Sequence, residues 1–226
     1  MKVLYIIPAR VGSKGLPNKN IKLLAGIPLI AYSIKAALNS NFKGCVNVST
    51  DDDKIATIAK EYGADVPFIR PAELAQDSSS TVDVIVHALE YYKSHGVTFE
   101  IIVLLQPTSP LRNHSDIENC IELLKKNNAD AVVSVCENEH HPLWSNELPP
   151  DGSMKNFLRE EIKGKNRQQL PKSYRLNGAV YVSKVDVFLK HKGFIHEGTY
   201  AFVMPQDRSV DIDTEIDFKL AELLLV

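Results

Sequence analysis

The first fifty residues contain no aspartate and no glutamate, although the whole chain of 226 residues carries 28 acidic side chains against 26 lysines and arginines. Seven cations, Lys2, Arg10, Lys14, Lys19, Lys22, Lys35 and Lys43, occupy that stretch, whereas Asp207, Asp211, Asp213, Glu215 and Asp217 crowd near the other end. A formal net charge of -2 argues against the broad basic surface that a nucleic-acid partner requires. The segregation suits a small anionic ligand held by cations, with carboxylates able to bind a divalent metal. No run approaches the ~20 apolar residues of a membrane span. The apolar part of the opening MKVLYIIPA is too short for a signal sequence, so a cytoplasmic protein with no membrane partner is expected. Cysteine is scarce. Cys45, Cys120 and Cys136 form no C-x-x-C pair and sit in apolar contexts, which predicts buried free thiols rather than a disulfide or zinc site. His140 and His141 are the only adjacent histidines, and without a third ligand nearby they support a sugar pocket better than a metal.

An apolar run over residues 3–7 leads into ARVGSKGLPNKN, residues 9–20, where Arg10, Lys14 and Lys19 are spaced by Gly12, Gly15 and Pro17. Glycines let the backbone turn and present its N–H groups, and clustered cations repel one another unless an anion sits among them. With a helix signal over residues 28–40, this reads as a strand feeding a polyphosphate loop. It is neither a Walker loop nor a G-x-G-x-x-G fingerprint. A solvated basic turn is the plainer alternative.

Continuous apolar runs predict buried strands at residues 2–7, 45–49, 66–69, 101–105 and 131–136, with another at 179–183. Between them, Val82, Ile85, Val86 and Leu89, and then Ile117, Cys120, Ile121 and Leu124, recur at helical spacing. This alternation predicts an α/β fold, a doubly wound and mostly parallel sheet, in one domain spanning residues 1–226 with its ligand at the carboxyl ends of the strands. Residues 137–178 break the rhythm and read as a functional or subunit-bridging excursion, carrying the apolar Phe157, Leu158, Ile162 and Leu170. In the last helix, Ile216, Leu220, Leu223 and Leu224 form the stripe expected to pack on the sheet.

Five segments fall on the expected ligand edge. STDDD, residues 49–53, most simply caps the following helix. RPAELAQDSSST, residues 70–81, ends in capping hydroxyls, while Arg70 is free to read a base or ribose because only Glu73 and Asp77 are acidic nearby. LLQPTSPLR, residues 104–112, delivers Gln106 from a buried strand and stiffens the exit with prolines. RQQLPKSYRLNGAVY, residues 167–181, places Arg167 and Arg175 beside polar groups, either as an exposed loop or as an anion or partner contact. In VDIDTEID, residues 210–217, Asp211 and Asp213 face one side of an extended chain and can share a metal; a helix cap accounts for Asp213 but not for Asp211.

Taken together and in order, these segments and EHHPL closely resemble the bacterial CMP-sialic acid synthetases, the acylneuraminate cytidylyltransferases, over essentially the whole chain. The resemblance implies transfer of CMP from CTP to a nonulosonic acid with release of pyrophosphate, Mg2+ as cofactor, a nucleotidyltransferase-type fold, and a homodimer formed through the excursion. By that resemblance Arg10, Ser13, Lys14, Lys19 and Asn20 hold the triphosphate and nearby groups, and Arg70 with Thr81 contacts the cytidine. Arg10, Lys14, Lys19 and Asp211 carry catalysis. Gln106 and Tyr181, with Asn177 nearby, shape the sugar pocket, Asp211 and Asp213 bind Mg2+, and Arg167 reaches the neighbouring subunit's site. Trp144 follows HHPL where some members carry lysine, and an indole cannot pair with a sugar carboxylate. The resemblance favours N-acetylneuraminate, and this departure leaves legionaminic, pseudaminic and Kdo acids open. A non-catalytic nucleotide-binding module is the alternative of another class; it would keep Arg10 and Lys14 but has no need of the Asp211 and Asp213 pair.

Overall fold

The apolar run after Lys2 forms strand β1 (Val3–Pro8), and its alternating side chains are buried on both sides. The computed structural model describes residues 1–12 and 15–225. Beyond β1 come the short pair β2 (Leu23–Leu24) and β3 (Ile27–Pro28), α1 (Leu29–Asn39), β4 (Gly44–Ser49), α2 (Asp53–Glu61), α3 (Thr81–Ser94) and β5 (Ile101–Leu104). The second half holds α4 (His114–Lys126), β6 (Ala131–Glu137), β7 (Tyr174–Lys184), α5 (Val185–His191), β8 (Thr199–Val203) and α6 (Glu215–Leu224). Six strands make one sheet in the order β4-β1-β5-β7-β6-β8. It is mostly parallel, with β7 antiparallel to both its neighbours.

The sheet is covered on both faces, which is why β1 reads as an unbroken apolar run. Val3, Tyr5 and Ile7 pack with residues of α1, α2 and α4, while Leu4 and Ile6 pack with α3 and α5. Among the described residues no helix is long and apolar enough to cross a membrane. Cys120 and Cys136 are buried free thiols as expected; Cys45 is only half-buried, its Sγ 3.1 Å from Tyr92 Oη.

Three expectations need correction. Residues 66–69 are not a strand. Asp65 exchanges backbone bonds with Val46 and Val48 of β4, but Pro67 has no N–H to continue the ladder, and the chain rejoins β4 only where Arg70 N donates to Thr50 O at 2.7 Å. Strand β7 begins at Tyr174 rather than Ala179, so the excursion is shorter than residues 137–178 and the Asn177-Gly178 pair lies inside the strand. Val133 pairs with Tyr181 and Val135 with Leu176, so five steps of β7 run beside two of β6, a pronounced bulge. Lastly, α6 buries Phe218 and Ala221 against Leu16, Leu24, Leu29 and Ile212, leaving the expected packing stripe in solvent, with Ile216 78% and Leu223 74% exposed.

Candidate active site

Where β1, β4 and β5 end, their loops enclose a cleft of about 470 Å³ that brings together Arg10, Lys19, Asn20, Arg70, Thr81, Gln106, Asp211 and Asp213. These side chains come from four separate stretches of sequence. Lys19 and Asn20 are buried in a short 3-10 turn (Lys19–Ile21), and Asn20 Nδ2 donates to Arg10 O at 2.9 Å, tying the turn to the exit of β1. Lys19 Nζ donates to Ile212 O at 2.5 Å and to Asp213 Oδ1 at 3.1 Å, which joins the cationic and acidic ends of the chain. Gly15 lies so close to that acidic segment that a Cβ there would stand 2.3 Å from Asp213 O. Arg10 Nη1 meets Asp77 Oδ1 at 2.7 Å, so a carboxylate of the chain itself engages this guanidinium within the cleft. Ser13 and Lys14 lie outside the described residues.

Arg70 forms the opposite wall. It is 5% exposed, and its Nε and Nη2 groups have no hydrogen-bond partner. Its nearest carboxylate is Asp51 at 3.6 Å rather than either local acid. Burial pulls the guanidinium below its ordinary range, with Asp51 opposing. An unpartnered buried donor costs about 1–3 kcal/mol, which an acceptor on a bound ligand would recover. Within STDDD it is Asp52 that caps α2, accepting from Ile55 N at 2.8 Å. Asp51 instead accepts from Val11 N at 3.1 Å and so links the basic loop to Arg70. Ser80 caps α3 and leaves Thr81 on the cleft.

At the third side, Ile212 N donates to Thr108 O at 2.8 Å, which fixes Asp211 beside the loop after β5. Enclosure in the cleft raises the Asp211 carboxyl above its ordinary value, a side-chain hydrogen bond from Thr108 offsets part of this, and the Asp213 charge adds to it. Thr214, not Asp213, caps α6 through a capping box with Asp217, so the Asp213 carboxylate is free to face Lys19. Two mutually repelling carboxylates in a cleft are a reasonable seat for a small hard cation. Among the described residues no third acidic, histidine or cysteine side chain joins them, so phosphate oxygens and water would have to complete a Mg2+ shell, as is usual for that ion.

Asn177, Tyr181 and Arg167 do not line this cleft. Asn177 is buried in the β7 bulge, where its Oδ1 accepts from Ser134 Oγ at 2.7 Å and its Nδ2 donates to Ser209 Oγ at 2.9 Å; it shapes the wall from behind. Tyr181 is half-buried with its ring 5.5 Å from Phe194, near enough to Asp211 for that charge to add to the burial that raises its hydroxyl pKa. Arg167 is exposed on the excursion and donates to Asn138 O at 3.3 Å. Arg175 is paired with Glu139 at 3.1 Å, and His141 Nε2 lies 2.9 Å from Pro171 O, pinning the two ends of the excursion together. Sequence reasoning passed over Asp51, Asp77 and Thr108 as members of the site. Their motifs were legible, but their partners are distant in sequence.

The family model for cytidylyltransferases matches residues 4–224. A CMP-N,N'-diacetyllegionaminic acid synthase from Legionella pneumophila is 37% identical, covering 100% of this chain and 97% of its own. An N-acylneuraminate cytidylyltransferase from Streptococcus agalactiae is 38% identical over 96% of this chain, which spans only 52% of that longer relative. The pseudaminic acid cytidylyltransferase of Campylobacter jejuni is 34% identical over 99% of this chain and 96% of its own. Among solved structures, a CMP:2-keto-3-deoxy-manno-octonic acid synthetase complexed with CTP has the same fold, with a TM-score of 0.73 at 18% identity over 100% of this chain and 98% of that one. Full-length identity, a matching family model and a cleft with cationic and acidic walls agree: the chain belongs to the cytidylyltransferase family.

Proposed function

We propose that this cytidylyltransferase joins CMP from CTP to the anomeric hydroxyl of a nonulosonic acid and releases pyrophosphate. The observation that carries the reading is the cleft itself, which sets Arg10 and Lys19 on one wall, Arg70 on another, and Asp211 with Asp213 at the third side. Arg70, with its unpartnered buried donors, and Thr81 would take the cytidine. Arg10, Lys19 and Asn20, with Ser13 and Lys14, would take the triphosphate. For in-line attack on the α-phosphate the protein must position two anions and neutralise the charge that develops on the departing pyrophosphate. Arg10 and Lys19 supply that neutralisation, and Asp77 must yield Arg10 as the nucleotide enters. Asp211 and Asp213 would hold Mg2+, which when bound would supply positive charge against the phosphates and would lower the pKa of an attacking hydroxyl. Gln106 would border the sugar with Tyr181 behind it, and the excursion would pair two subunits so that Arg167 serves the neighbouring site.

N-acetylneuraminate is the first acid to test. A second reading, a diacetylated legionaminic acid, is supported by the 37% identical relative of matching length, a CMP-N,N'-diacetyllegionaminic acid synthase. Purified protein given CTP, Mg2+ and each acid in turn should release pyrophosphate with one of them. Release should stop in excess chelator. Failure with sialic, legionaminic, pseudaminic and Kdo acids alike would overturn the proposal.

A further inference from the structure

Arg112 is 2% exposed, yet its hydrogen bonds run to carbonyl and hydroxyl oxygens rather than to a carboxylate. Its Nε donates to Ala179 O of β7 at 2.7 Å, and its Nη2 donates to Gln106 O at 2.5 Å and to Ser33 Oγ of α1 at 3.0 Å. Desolvation pushes the guanidinium down to about 9, with Asp116 opposing. Asp116 is itself engaged by Arg208 at 2.7 Å. A buried cation is harder to accommodate than an apolar side chain of similar size, so filling space does not explain an arginine here.

What it holds together is the sugar end of the cleft. Ser109 Oγ donates to Asn177 O at 3.2 Å, and Thr108 O accepts from Ile212 N at 2.8 Å, so the loop after β5 is fastened to the β7 bulge and to the acidic segment. Gly178, at φ +71°, lies where these meet. A Cβ on it would stand 2.7 Å from Gln106 Oε1 and 3.6 Å from Asp211 Oδ2. Gln106 and Asp211 thus flank a bare strip of backbone whose width is set by how the loop sits on β7. Arg112 is the side chain that grips Gln106 and Ala179 at once.

We propose that Arg112 is a positioning residue that sets the spacing between Gln106 and Asp211 across the cleft. This rests on the proposed reaction, in which those two side chains face the acceptor sugar. The cytidine wall is anchored elsewhere, because Arg70 N donates to Thr50 O and its guanidinium lies 3.6 Å from Asp51, whereas Lys19 on the triphosphate wall touches the acidic segment directly. Loosening Arg112 should therefore be felt far more at the sugar than at CTP, whose cytidine wall it does not touch.

Arg112→Lys keeps a cation but loses the planar fork that reaches Gln106 and Ala179 together. Calorimetric titration with CTP alone should give a Kd within about twofold of the parent, while kcat/KM for the acid that the parent uses falls at least tenfold. Hydrogen exchange should quicken in residues 106–112 and 210–214 and stay unchanged in α3. An unchanged kcat/KM for the acid would overturn the proposal, as would equal losses toward CTP and acid or unaltered exchange in those two segments. Should Arg112→Lys fail to fold, Ser33→Ala removes one of the three acceptors and should give the same split at smaller size; a uniform loss there overturns it too. A parent that uses no acid sinks the proposed reaction, and the exchange pattern still decides whether Arg112 holds the loop.

Discussion

Asp211 sits between opposing demands. The cleft and the Asp213 charge raise its carboxyl, while Thr108, Lys19 and Arg175 pull it down, and the balance lies above the ordinary value. A ligand for a cation must be ionised, so acidification should remove activity at a pH above the roughly 3.9 of a free aspartate. Asp213→Asn deletes the repulsion and should move the acid limb of kcat/KM to lower pH; a limb that stays put would separate Asp211 from that pH dependence. Asp211→Asn should cut kcat at least ~100-fold, in line with losses of single electrostatic stabilisers. Its stability should change in the opposite sense. A carboxyl raised on folding binds its proton more tightly in the native state, so the unliganded chain loses stability as pH rises through the window between the unfolded and folded pKa values. At neutral pH the amide avoids that loss, and its Tm without metal should match or exceed the parent's. Much of this residue chemistry was legible in the sequence. The x-spaced pair Asp211 and Asp213 predicted two carboxylates on one side of the chain, and both do line the cleft, but nothing local revealed that Thr214 would take the cap or that Lys19 would bridge the two ends of the chain.

At the scale of elements, periodicity reports that a stripe is apolar but not what lies opposite it. In α6 the residues that pack are Phe218 and Ala221, with Lys22 Nζ 4.3 Å from the Phe218 ring, because the helix rests on the β2 and β3 pair and on the loop around Leu16. Phe218→Ala should cost about 3 kcal/mol or more in urea denaturation, whereas Leu223→Ser should stay within roughly 0.5 kcal/mol. Equal effects would return the helix to the sequence-based orientation. The strands β1 and β5 were readable because burial on both faces leaves a continuous apolar run, and β4 and β6 because only Asn47, Ser49 and Ser134 interrupt theirs ahead of the final Glu137. Residues 66–69 copy that pattern, and the missing N–H of Pro67 alone keeps them out of the ladder. The β7 bulge was hidden for another reason: the polar Asn177-Gly178 pair looks like a turn until Ser134, Ser209 and Met204 supply buried partners for its amide.

For the whole molecule, the outer end of the sheet is where two chains are expected to meet. Leu176 and Val203 both pair with Val135 and so share its face, making an apolar strip across β7, β6 and β8. Leu176 is 50% and Val203 53% exposed, and the excursion leaves the sheet next to them. Ile162 is buried, whereas Leu148, Met154 and Leu158 stay exposed on the excursion. A second copy laid over this end would cover the strip and carry Arg167 toward the other sugar site. Light scattering should then report a dimer, and Leu176→Asp should shift it toward monomer. Mixing subunits tests the shared site itself. An Arg167→Ala chain with an Asp211→Ala chain yields one site with both lesions and one with none, so verified heterodimers should exceed either parent in pyrophosphate release. Heterodimers no more active than the parents would confine Arg167 to its own subunit, where it already has the Asn138 carbonyl as a partner, and would reduce the excursion to a handle between chains.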